Sequence, residues 1–140
     1  MTPDTMFLLA NTLVLPQWLL MIAAPRWSVT QWLVRTLLIP ALLAVIYLYY
    51  LFSGSANLDF SSFSTLSGIK SLFTQDEAVL AGWVHYLAFD LVAGSWMLRD
   101  GQQRSINHFL LIPCLLFCFM LGPVGLLLYV VIRFVKKPDA

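Results

Sequence analysis

The chain has 140 residues, 60% of them hydrophobic and 11% charged, with a net charge of +1 and a mean hydropathy of +0.82. Ordinary soluble domains are about 45–50% apolar and about 25% charged, so that class is excluded, and no clustered basic patch marks a nucleic-acid partner. The apolar runs are continuous rather than alternating, which predicts spanning helices and not barrel strands.

The sequence therefore predicts one all-α domain: an integral membrane bundle of four transmembrane helices. An interfacial segment is expected between helices 2 and 3. The opening, MTPDTMFLLA, lacks the basic region of a secretory signal, so its apolar run is read as a mature helix at about 4–24. That opening also lacks transit-peptide character and favours a bacterial or already trimmed chain. Pro3 suits a first turn, Pro16 lies inside the helix, and Pro25 and Arg26 end it.

The link RWSVTQWLVR carries Trp27, Trp32, Arg26 and Arg35, the chemistry of a headgroup boundary. The second helix is expected at about 31–53, with Pro40 inside and the aromatic exit YLYYLF. Residues 54–75 are too polar to span. Phe60, Phe63, Leu66, Ile69 and Leu72 recur every three residues among serines and threonines. This predicts a loop with an amphipathic helix resting on the membrane surface, or a lid over the bundle.

The third helix is expected at about 76–98, with Asp76 and Glu77 complementing its N-terminal dipole. RDGQQRSIN follows as a link with an Asp-Gly turn. The fourth is expected at about 108–134, across Pro113 and the Gly122-Pro123 pair. Cys114 and Cys118 read as two small buried apolar residues. With four spans, Arg26, Arg35, Arg99 and Arg104 face Lys70, Arg133, Lys136 and Lys137 across the membrane. That balance leaves the orientation open.

Ionisable groups inside a span are expensive and count as functional hypotheses. His85 and Asp90 are the candidates on the third helix, with Trp83 and Tyr86 beside them. Five residues apart, they stand about 140° around the helix and about 7.5 Å along it, so they cannot share an ion unaided. Folding the 3–4 hairpin at Gly101-Gln102 puts Asp90 level with Cys114 and His85 level with Phe119 and Met120. His108 stays near the link with Asp100, about 20 Å in depth from His85. No metal or cofactor is expected. Two readings stand side by side. In one, an apolar pocket holds His85 as acid–base group and Asp90 as its orienter or proton carrier. In the other, the two are interhelical hydrogen-bonding groups that fix packing. Asp100 reads as turn chemistry and His108 as interfacial. Gly122-Pro123 frees backbone carbonyls near the depth of His85, where a pocket wall is expected.

Taken in order, LPQWLLMIAAP, GWVHYLAFDL, the DG of the link, NH, and PCLLFCFMLGPVGLLLY resemble the abscisic-acid-deficient-4 family, in its bacterial or cyanobacterial form. The resemblance covers essentially the whole chain and is densest from Gly82 to Tyr129. It implies a small four-helix membrane protein of neoxanthin synthesis, in a bacterial inner or thylakoid membrane. The implied reaction is a carotenoid isomerisation, opening the violaxanthin epoxide with allene formation. An acid must reach the epoxide oxygen and a base a carbon-bound proton. His85 and Asp90 are assigned those roles. Trp83, Tyr86, Asp100, His108, Gly122 and Pro123 are assigned to binding. The expected partners are the bilayer and a carotenoid or other isoprenoid, with a homo-oligomer or membrane enzyme partner left open. The alternative is a non-catalytic protein that binds pigment or lipid, or assists a complex.

Overall fold

A computed structural model describes residues 1–53 and 59–136. Those residues form seven α-helices and one 3-10 turn. The first is α1, Pro3–Ala23, started by the Thr2 hydroxyl accepting from the Thr5 N–H. Pro16 lies on its exposed side.

The expected second span is two helices, α2 (Ser28–Thr36) and α3 (Leu38–Ser53), bent by 40°. Leu37 between them is left-handed, with φ 52° and ψ 33°. Pro40 supplies the reason. Its ring collides with the carbonyl four residues earlier, at Thr36, and it donates no N–H. The 3-10 turn covers Phe60–Ser64, and α4 covers Leu66–Leu72, capped by the Thr65 hydroxyl. Phe60, Phe63 and Leu66 are exposed there. Residues 54–58 of the expected interfacial segment, and Lys137, lie outside the described residues.

The longest helix is α5, Asp76–Gln103. It runs about one turn beyond the expected end at 98. Asp100 and Gly101 are therefore helical, not a turn. Gly101 is buried because the Leu111 side chain fills the space of a Cβ.

The expected fourth span does not exist. Residues 108–134 form α6 (His108–Leu121) and α7 (Pro123–Val135). Each is about 20 Å long at 1.5 Å per residue, short of a hydrocarbon core of about 30 Å. Pro123 has no N–H to continue α6, and it opens α7 as a first-turn residue. The chain then turns back. A Cβ on Gly125 would overlap the backbone of Cys114 and Cys118, so α7 lies directly on α6. Tyr129 and Arg133 then reach Asp100, beside the start of α6.

Among the described residues, two helices (α1 and α5) are long and apolar enough to cross a membrane. The count is three if the bent α2–α3 pair is one span. The expectation of four spans is corrected to this.

Helix α5 is the centre. Helix α1 runs alongside it in the same direction: Trp83 meets Asn11 and Phe7, and Ser95 meets Gln17. Helix α3 runs the other way, with Tyr47 beside His85. Trp18 packs over Gly94, where a Cβ would strike its ring, and against Phe119 at 5.5 Å. Gln17 donates to the Ser95 hydroxyl at 3.0 Å, both fully buried. Such small-residue contacts and interhelical hydrogen bonds hold helices together where lipid offers no hydrophobic drive.

Candidate functional site

The longer α5 shifts the register of the last elements. Gly101 meets Leu111, Asp90 meets Cys118 and Gly122, and Tyr86 meets Met120. Asp90 is thus about one turn from its expected level at Cys114.

Asp90 stands at the tip of the α6–α7 hairpin. Its carboxylate occupies the space where a Cβ on Gly122 would stand. The Cys118 thiol donates to the Asp90 backbone carbonyl at 3.5 Å. One turn earlier, Tyr86 donates its hydroxyl to the Met120 carbonyl at 2.9 Å. That carbonyl is among the last four of α6, which have no partner within the helix. Tyr86 therefore closes the end of α6 while its ring lies tilted against Trp83, with 5.3 Å between ring centroids. Asp90 Oδ2 is buried and makes no hydrogen bond of good geometry, although the Tyr86 hydroxyl is near enough to interact with the carboxylate. An irregular backbone turn and an unpaired carboxylate oxygen meet at one point deep along α5. Pro123 lies beside it on the exposed side of the turn.

His85 is elsewhere. It is exposed, flanked by Tyr47 at 5.7 Å and Phe89 at 4.8 Å between ring centroids. The structure places it toward α3 and Asp90 toward the hairpin, on different sides of α5. The two do not form a dyad. Trp83 is partly exposed, with its indole N–H on the Asn11 side-chain carbonyl at 3.2 Å.

A second polar cluster forms around Asp100. Its Oδ2 accepts from the Tyr129 hydroxyl at 2.5 Å, Arg133 Nε at 2.8 Å and Arg104 Nε at 3.0 Å. Tyr129 is fully buried and meets Trp96 edge-on at 5.3 Å. The Arg133 guanidinium lies 5.6 Å from the Trp96 ring centroid, within cation–π range. The turn role expected for Asp100 is thereby replaced by an anchor between α5 and α7. Tyr129, Arg133 and Arg104 were not among the expected site residues. The available signal was two pairs at i,i+4, Asp100/Arg104 and Tyr129/Arg133, each lying on one helix face.

His108 bonds through Nε2 to the Ile22 carbonyl at 2.8 Å, and its Nδ1 is buried without a partner. It borders a cavity of about 440 Å³ with Arg26, Gln102, Ser105 and Asn107. A second cavity of about 330 Å³ lies between Leu37, Trp96, Arg99 and Asp100. Among the described residues no three His, Cys, Asp or Glu side chains gather as metal ligands. Cys114 and Cys118 are buried free thiols.

Comparison with known proteins agrees with the resemblance at the level of the family, and does not single out its bacterial or cyanobacterial form. The family model described as ABA4-like, ABA DEFICIENT 4-like, matches residues 5–129. The chain is similar to Protein ABA DEFICIENT 4, chloroplastic, from Arabidopsis thaliana. The two are 32% identical over 143 residues, covering 96% of this chain and 61% of that protein. The chain thus spans about three-fifths of the length of that relative. No solved structure matches. Asp90, Asp100, Gly122 and Tyr129 all fall within the matched region. Arg133 lies beyond it.

Proposed function

Because the chain belongs to the ABA DEFICIENT 4-like family, we propose that it acts within a membrane on a carotenoid or related isoprenoid, isomerising it by proton transfer. The observation that carries this reading is Asp90, with Oδ2 unpaired against the Gly122 turn. Carboxyl groups at that depth are costly and mark functional positions. Irregular backbone there is tolerated only when buried in protein or lining a cavity.

In this reading Asp90 exchanges the proton and Tyr86 positions it from one turn away. For a xanthophyll epoxide, one proton arrives at the epoxide oxygen as its C–O bond breaks. Another leaves a neighbouring carbon, whose electrons form the new double bond. The product is an isomer, so no redox partner is needed. His85 takes a different part. Its exposed ring, between Tyr47 and Phe89, suits contact with a flat polyene lying along α3 and α5. That same exposure favours the second reading, in which the protein binds pigment or assists another enzyme without catalysis.

The test uses a bacterial host that makes violaxanthin. Wild type, Asp90→Asn and His85→Ala are expressed at matched membrane levels, and extracted pigments are separated and weighed. The expected result is a product of unchanged mass with the wild type, lost in Asp90→Asn. Pigment that co-purifies with the wild type but emerges unaltered sinks the isomerase reading and supports binding.

A further inference from the structure

We propose that one end of the bundle is a docking surface for an anionic lipid layer, and that this end faces the cytoplasm. Were residues 108–134 one span, Arg133 and Lys136 would stand across the membrane from Arg99 and Arg104. Because α7 returns along α6, they stand on the same side. Arg26, in the α1–α2 link, joins them beside Gln102 and His108. Arg35 closes α2, next to the cavity that Arg99 lines.

That end therefore holds six of the seven described Lys and Arg residues, with Lys70 at the other. The carboxylates divide the opposite way. Asp4, Asp76 and Glu77 begin α1 and α5, and Asp59 begins the 3-10 turn. Asp100 is the one described carboxylate at the basic end, and Arg104 and Arg133 already engage it. Arg26, Arg35, Arg99 and Lys136 have no ion pair among the described residues and are exposed. Trp27 and Trp32 are exposed at the same end, as residues of a headgroup belt are.

Lys and Arg near span ends, not net charge, decide orientation, and they stay on the cytoplasmic side. That leaflet carries anionic lipids whose surface potential attracts clustered cations. The cavity between Arg26 and His108 lies within this surface. It offers a headgroup phosphate donors from Arg26, Ser105 and Asn107.

Two measurements test this. In the first, Ser67→Cys, Ser105→Cys and Lys136→Cys are expressed separately in bacteria and treated with a membrane-impermeant maleimide. The parent chain reports any reaction of Cys114 and Cys118. Ser67→Cys should label from the outer face. Ser105→Cys and Lys136→Cys should label only in inverted vesicles. Labelling of Ser105→Cys and Lys136→Cys from opposite faces overturns the hairpin argument. Labelling of both from the outer face overturns the orientation.

In the second, wild type and an Arg26→Gln, Arg35→Gln, Arg99→Gln triple variant are melted in nanodiscs of phosphatidylglycerol or phosphatidylcholine. The wild type should melt higher in phosphatidylglycerol, and the variant should lose that difference. Equal melting of the wild type in both lipids overturns the anionic docking.

Discussion

The carboxylate of Asp90 and the α-carbon of Gly122 are in direct contact, so the carboxylate fills the place of the side chain that Gly122 lacks. This pair joins the centre of α5 to the tip of the α6–α7 hairpin. Gly122→Ala should therefore push the carboxylate aside and cost about 1–3 kcal/mol, the range for overpacking. In an Asp90→Ala background the same change should cost less, by at least about 0.5 kcal/mol, as expected for touching residues. Unfolding in detergent would measure all four proteins. Strictly additive costs would show that the two residues do not meet.

Asp100 and Tyr129 form the other end of the same hairpin. Asp100→Ala leaves the Tyr129 hydroxyl and two guanidinium groups without their acceptor. It should be the most damaging change in the cluster, at about 2–4 kcal/mol once partial exposure is allowed for. Tyr129→Phe removes one hydrogen bond to a charged group, about 1.5–3 kcal/mol. Arg104→Ala should cost least, about 0.5 kcal/mol, since it breaks a single i,i+4 pair. Thermal melts of the three variants would rank them. A neutral Asp100→Ala would remove Asp100 as the anchor of α7.

Tyr86→Phe keeps the ring against Trp83 and removes the donor to the Met120 carbonyl. Losing this exposed bond should cost about 0.5–1.5 kcal/mol. The effect should be local, with faster amide hydrogen exchange at the end of α6 than in the centre of α1. Uniform exchange across the chain would argue against a capping role.

The 3-10 turn should respond to acid. Ser61 donates both its hydroxyl and its N–H to the Asp59 carboxylate, at 2.6 and 2.9 Å. Those bonds, the hydroxyl first, hold the Asp59 carboxyl below its ordinary value of 3.8. A depressed folded-state value means the stabilisation is present above 3.8 and fades as the pH drops below it. The Ser61 amide resonance should be constant from neutral pH to about pH 5 and then shift toward a random-coil position. A transition centred above the ordinary carboxylate value would contradict the capping geometry.

Much of the helical layout was legible. Apolar run length and prolines marked α1 to within a residue of its ends, and flanking polar residues marked the starts of α5 and α6. The same signals misled where proline and glycine had two meanings. Pro16 sits inside an unbroken helix, Pro40 follows a break at Leu37, and Pro123 follows a reversal. A proline forbids one hydrogen bond. Whether the chain then kinks or turns back depends on what it packs against.

For the candidate site, the residue types on α5 were readable, and so was the angle that separates His85 from Asp90. Their surroundings were not. Tyr129 and Arg133 lie 29 and 33 residues from Asp100, and no local pattern links such distances. The sequence by itself determined the solvent: an apolar, weakly charged chain must satisfy its backbone as helices in a membrane. Only the tertiary structure decided the direction of the last helix, because an apolar run of 27 residues reads alike whether straight or doubled over. Gly125, bare enough to lie on the backbone of α6, lets it double over. That single reversal sets which residues meet Asp90, which meet Asp100, and at which end of the bundle the charge collects.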